Sequence, residues 1–172
     1  MTQETPPPAA APKQQILLSE EQYHQISQEL ELLRAKLKSQ LVLFGDLNGQ
    51  LISQKGSLPG VDMPILAALI SSDFSATSEI ARLLGRENRF RLHFHEGTRR
   101  NLYIASVSEQ FFLAVIFDPS VTLGMVRIFT QKSIDKIETI IRTSFDEMVK
   151  ISNVIDAEFK SYVNEGLDRI LD

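Results

Sequence analysis

The chain contains no cysteine, and this absence excludes disulfides, thiolate metal sites and cysteine nucleophiles. Long apolar runs are missing too. The longest, Phe111 to Phe117, is far too short to cross a bilayer, so no membrane insertion is expected. There is no excess of positive charge: the net charge of −4 gives no general reason to expect nucleic-acid binding. The opening MTQETPPPAAAPKQQ lacks the basic region and apolar core of a signal peptide, and the chain reads as cytoplasmic. What is present is ordinary. A hydrophobic content of 43% and a charged content of 23% over 172 residues suit one domain with appendages and a real core.

Residues 1–18, with Pro6-Pro7-Pro8, three alanines and Pro12, read as an extended, solvated tail. Order is expected from Ser19, which forms a capping box with Gln22 ahead of acidic Glu20 and Glu21. Tyr23, Ile26, Leu30, Leu33 and Leu37 then mark one face of a first helix. Leu41-Val42-Leu43-Phe44 reads as a strand covered on both faces, and Gln50 to Lys55 as a mixed strand nearer an edge. Between them, Gly45-Asp46-Leu47-Asn48-Gly49 has the glycines and self-bonding side chains of a hairpin turn. It is not an EF-hand, whose glycine and glutamate fall out of register, nor a P-loop, which would end in Gly-Lys-Ser/Thr before a helix.

A second helix is predicted from Asp62 to Leu84, closed by Gly85. Leu66, Leu69, Ile70, Phe74, Thr77, Ile80 and Leu84 are its expected packing face, with Asp73 an oddity within the apolar arc. The opposite face carries compact Pro64, Ala67, Ala68, Ser71, Ser72, Ser75 and Ser78, followed by Glu79 and Arg82. A solvated helix face ordinarily carries long charged residues, whereas short ones admit a close neighbour. Three strands follow. Arg89 to His95 alternates, with both arginines and both histidines on one face. Asn101 to Ser106 comes next, and Phe111 to Phe117 is apolar throughout. His93-x-His95 has zinc-like spacing, but the remaining histidine, His24, is remote and no further ligand is marked, so neither metal nor cofactor is expected. Between Arg82 and Arg100, six arginines face Glu87 and Glu96, a local +4 that suits an acidic partner or a charge-protected edge.

A third helix begins with Leu123, Val126 and Phe129, and continues with Ile134, Ile141, Met148, Ile155 and Tyr162 at seven-residue intervals, joined by Ile137 and Ile151. It outlasts the sheet, so 151–172 is set apart as an extension that packs on its own domain, extends or pairs with another chain. The order α-β-β-α-β-β-β-α makes an α+β sandwich. The two uniformly apolar strands, first and fifth, belong at the centre, and the second and third at the edges.

The stretches "LVLFGDLNGQLISQKG", "SATSEIARLLG", "RLHFHEGTRRNLYIASVSEQFFLAVIFD" and "LGMVRIF" together resemble the Roadblock (dynein light chain 7) domain from about Ser19 to Met148, which sets the domain at 19–150, and most nearly the bacterial MglB-type proteins that regulate small Ras-like GTPases. The resemblance implies a five-stranded antiparallel sheet in order 2-1-5-4-3, with the second helix on one face and the other two helices on the opposite face. It also implies a homodimer joined through third strands and second helices, the helix pair forming a platform for the GTPase. Arg89, Phe90, Arg91, Leu92, His93 and Phe94 would then form the dimer edge. Ala68, Ser71, Ser72, Ser75, Ser78, Glu79 and Arg82 would form the platform. The implied role is non-enzymatic stimulation of GTP hydrolysis through the GTPase's own switch regions. It requires no arginine finger, for which Arg82, Arg99 and Arg100 are the candidates. The alternative is a scaffold that bridges larger assemblies without changing nucleotide turnover. The residues themselves show no nucleophile–base signature that would make the chain an enzyme.

Overall fold

The computed structural model describes residues 18–85 and 90–143. Helix α1, Glu20–Leu37, begins at the expected capping box, with the Gln22 amide on Ser19 Oγ and the Gln22 side chain returning to the Ser19 N–H. Strands β1, Leu41–Asp46, and β2, Leu51–Gly56, form the first hairpin. Helix α2, Met63–Leu83, is capped by the Asp62 carboxylate on the Ile65 N–H. Strands β3, Leu92–His95, β4, Asn101–Val107, and β5, Phe111–Phe117, follow, and helix α3 spans residues 123–143 of the described chain. The five strands are antiparallel in the order β2-β1-β5-β4-β3, as the sequence patterns imply. The expected boundary at residue 150 lies outside the described residues, as does nearly all of the N-terminal tail.

Alternation along the central strands divides the core into two layers. Val42 and Phe44 of β1, with Leu113, Val115 and Phe117 of β5, meet Ile26, Leu30, Leu33 and Leu37 of α1 and Val126, Ile134, Ile137 and Ile141 of α3. Leu43, Ile104, Phe112 and Ala114 point the other way, onto Ala67, Ile70 and Phe74 of α2. A strand buried on both faces has no polar side to show, and β1 and β5 have none.

Two polar residues settle how α1 meets α3. Tyr23, expected on the buried stripe, is instead exposed, and Gln22 takes the inward place because its amide donates to Ile140 O at 2.7 Å. Glu29, only 7% exposed, accepts from Ser133 Oγ at 2.7 Å and from Lys136 Nζ at 2.9 Å. A carboxylate buried this far is tolerated because both oxygens are hydrogen-bonded and its charge is paired.

The second correction concerns α2. Leu69, Ile80 and Leu84 of the expected packing face are exposed, and Ala67, Ser71 and Ala81 lie against the sheet with Met63, Ile70 and Phe74. The hairpin explains the rotation. Gly49, at φ +94°, sits so close to α2 that a Cβ there would stand 3.2 Å from Ala68 Cα, and Ser71 Oγ donates to Leu47 O at 2.5 Å. Only short side chains fit beneath the helix at that point. The Gly45–Gly49 knot is therefore a turn whose groups serve one another: Asp46 Oδ1 accepts from the N–H groups of Asn48 and Gln50. Replacing Gly49 with alanine adds left-handed strain to the crowding on Ala68. It is expected to cost about 1–3 kcal/mol, read as a lower urea midpoint at unchanged slope. An unchanged midpoint would contradict this seating of the helix.

Candidate functional site: the outer face of α2 and the β3 edge

The outward side of α2 is divided lengthwise. Ile65, Leu69, Ala76, Ile80 and Leu83 recur at helical spacing and are all exposed, Leu69 by 63% and Leu83 by 84%. Beside them run Ala68, Ser72, Ser75, Glu79 and Arg82, also exposed. Leu69 and Ile80 of the first group were expected in the core, because their periodicity is as good as that of the true inner face. What distinguishes the two stripes is the tertiary demand for small residues under the helix, and periodicity alone does not report it.

Each expected platform residue has a definite place. Ser71 belongs to the underside, held by Leu47 O. Ser72, Ser75 and Ser78 donate to the carbonyls of Ala68, Ser71 and Phe74, four residues back. Their hydroxyl hydrogens are occupied, so the flank presents short, smooth relief more than a row of donors. Arg82 pairs with Glu79 along the same helix. The described residues bring Ala68, Ser72, Ser75, Glu79 and Arg82 together on one strip.

Around the other side of α2, Asp73 and Thr77 reach β3. Asp73 Oδ2 lies 2.8 Å from His93 Nδ1 and 3.3 Å from His95 Nε2, and Thr77 Oγ1 lies 3.1 Å from His93 Nε2. The oddity of an acid in the apolar arc thus has its explanation on the neighbouring strand. Alternation places His93 and His95 on one face of the strand as expected, and that face is turned to α2, with His93 buried and His95 half exposed. Phe74 stacks obliquely on His93 at 4.5 Å between centroids. The group superficially resembles a nucleophile–base–acid array. The Thr77 hydroxyl also lies 2.7 Å from Asp73 O, so that carbonyl competes with His93 Nε2 for its one hydrogen. Among the described residues, no group of three or more histidine, aspartate or glutamate side chains is arranged to hold a metal.

Strand β3 is shorter than expected. Phe90 and Arg91 precede it, and Arg89 lies outside the described residues. It pairs only with β4 among the described strands, so its outer edge is open. Leu92 is partly exposed there, while Phe94 packs under the sheet near Phe117. On that underside, between β3, β4 and α3, an open groove of about 1130 Å³ is lined by Phe90, Leu92, Tyr103, Arg127, Ile134 and Glu138 among others. Burial pushes the Tyr103 hydroxyl above its ordinary range, opposed by the charge of Arg127. No periodic pattern marks this groove, since it arises where α3, among the described residues, stops short of β3 and the outer part of β4. No helix among the described residues is long and apolar enough to cross a membrane.

The Asp73 carboxyl is the titrating group of this junction. Burial pushes it up, but hydrogen bonds and charge from His93 and His95 outweigh that and hold it below the ordinary carboxylate range. A depressed folded value stabilises the fold fully above the ordinary carboxylate pKa. The contribution is lost as pH falls through the folded value. Asp73→Asn is therefore expected to lower the urea midpoint at neutral pH and to flatten its decline below about pH 4. An acid limb identical to that of the unaltered chain would refute the assignment.

Comparison with known proteins agrees with this geometry. The family model described as the Roadblock/LC7 domain matches residues 30–117. MglB of Myxococcus xanthus is 34% identical, with 74% of this chain and 95% of that one covered at a TM-score of 0.69. A solved MglB with a tetrameric arrangement is 26% identical, covering 78% of this chain and 98% of that one at 0.68. The gliding protein MglB of Thermus thermophilus is likewise 26% identical, covering 78% and 99% at 0.67. With the strand order, the helix layers and more than half of its length matched, this chain belongs to the Roadblock/LC7 domain family.

Proposed function

We propose that the chain is a non-enzymatic, homodimeric regulator of a small Ras-like GTPase. Two copies pair their β3 edges and set their α2 helices side by side, and the combined outer face receives the GTPase. The observation that carries this reading is the apolar stripe of α2 lying beside an open strand edge. Five side chains in a row, Ile65 to Leu83, are left in water by one copy. Covering each large one would contribute about 1.5–3 kcal/mol, enough for the set to drive association. Asp73 and Thr77 mark the β3 side of the helix, so a second copy added at the β3 edge lies against that stripe.

The strip of Ala68, Ser72, Ser75, Glu79 and Arg82 then flanks the joined helices, on the side toward the first hairpin. Short side chains permit close approach by a partner's loops, and the Glu79–Arg82 pair sits at the end of the strip nearer the C-terminus of α2. Likeness to MglB proteins supports a GTPase as that partner and supports assembly of several copies. Stimulation proceeds by shaping the GTPase's switch regions, so the chain itself needs no catalytic group.

The test uses a small Ras-like GTPase from the same genome, with GTP hydrolysis followed under single-turnover conditions. Ser75→Arg fills the exposed strip without touching the core. It is expected to reduce stimulation by about tenfold or more, the effect of roughly 1.4 kcal/mol on the activated complex, while thermal unfolding stays unchanged. Undiminished stimulation by a folded Ser75→Arg chain would remove the strip from the interface.

A further inference from the structure

The groove between β3, β4 and α3 holds a hydroxyl that the described residues do not serve. Tyr103 lines it and is only 3% exposed, yet no hydrogen bond reaches Tyr103 Oη among the described residues. A buried tyrosine ordinarily gives its O–H to a partner, because an unmade bond leaves the group desolvated without return. Burial pushes this hydroxyl above its ordinary range, so it keeps its hydrogen and can donate. Around it the lining is part apolar and part donating. Phe90, Leu92 and Ile134 supply apolar surface, and Arg127 and Gln131 stand exposed along the α3 wall. Gln131 gives one amide hydrogen to Asp135 and keeps the other. Apolar rings and bare carbonyl oxygens match such a lining, and a proline-rich strand presents both while bringing few N–H groups that need acceptors.

The chain carries such a segment, with Pro6, Pro7, Pro8 and Pro12 among the residues ahead of Leu18. Leu18 packs on the core between α1 and α3, and Gln22 bonds Ile140 O. The segment therefore enters beside the end of α3 at which Glu138 borders the groove. Crossing α3, about 10 Å wide, takes about four extended residues, which 14–17 supply. Residues 6–12 then reach about 20 Å at the polyproline rise, against about 16 Å along α3 from Glu138 to Arg127.

We propose that residues 6–12 of the chain's own N-terminal segment occupy this groove as a polyproline strand, with a backbone carbonyl accepting from Tyr103 Oη. The strand runs from the Glu138 end to the Arg127 end, so Lys13 and Glu4 fall toward groups of opposite charge. Docked there, it closes the groove to any other proline-rich peptide. Residues 144–172 also start near the groove, but 144–165 contain no glycine or proline to turn them back into it. The seat lies on the sheet face opposite α2, so it rests on neither the GTPase reading nor the dimer reading.

Because the chain lacks cysteine, Ala9→Cys accepts a single nitroxide label. The isotope-labelled, spin-labelled full chain is diluted into an excess of unlabelled chain, so that the NMR spectrum reads each copy's own segment. The amides of Leu92, Ala105 and Gln131 should broaden, and that of Leu69 on the outer face of α2 should not. Tyr103→Phe removes only the hydroxyl and should lower the docked-to-free ratio by about fivefold, the equivalent of one hydrogen bond. Replacing Pro6, Pro7 and Pro8 with glycine should abolish the groove broadening in a chain that remains folded by circular dichroism. Broadening that is absent from the groove, equal at Leu69, or undiminished in both variants would overturn the proposal. Groove broadening from a label at Ser152→Cys and not from Ala9→Cys would also overturn it, giving the groove to 144–172.

Discussion

The close seat of α2 on the sheet is the constraint from which the outer surface follows. Gly49 and the Leu47 carbonyl approach the helix so nearly that Ala68 and Ser71 are the sizes that fit around the contact. With short residues fixing that register, the larger Ile65, Leu69, Ile80 and Leu83 are turned to solvent. A helix held at this depth therefore gains a firm seat from the hairpin and carries an apolar stripe on its back. The same rotation brings Asp73 and Thr77 over β3, so one packing decision sets both the exposed face and its link to the neighbouring strand.

The opposite face of the sheet is built by different means. There, α1 and α3 cover the central strands with large aliphatic side chains, and their alignment is set by polar contacts, Gln22 to Ile140 and Glu29 to Ser133 and Lys136. These bonds hold α3 over β5 and α1, leaving β3 and the outer part of β4 bordering an open groove. Among the described residues the sheet is thus well covered at its centre, while its β3 margin is covered by α2 on one face and borders the groove on the other. Pairing through β3 would extend the sheet at that margin and place the two open edges against each other.

Much of this arrangement is legible in the chain. Uniformly apolar Leu41–Phe44 and Phe111–Phe117 announce central strands, since no edge strand with a wet face lacks polar residues throughout. Ser19, Gln22, Asp62 and Gly85 mark helix ends by local chemistry and lie where expected. The rotation of α2 is not legible, because two apolar stripes share one helix and only the nearby hairpin decides between them. Tyr23 fails similarly: an aromatic at the right spacing yields its place to Gln22, whose partner lies more than a hundred residues away. The Asp73–His93 bond was visible as two separate anomalies, an acid in an apolar arc and paired histidines on a strand. Only the fold brings them within 2.8 Å. Of the small residues expected to admit a close neighbour, Ala68 and Ser71 meet the chain's own hairpin.

Two copies that pair as proposed cover the apolar back of α2. Sedimentation equilibrium of the full chain measures this most directly. At micromolar concentration the predicted species has twice the 19.4 kDa chain mass, and Leu69→Arg, at the middle of the exposed stripe, returns it to a single chain with its circular dichroism intact. A folded wild-type chain that sediments at 19.4 kDa across the whole concentration range would contradict the account.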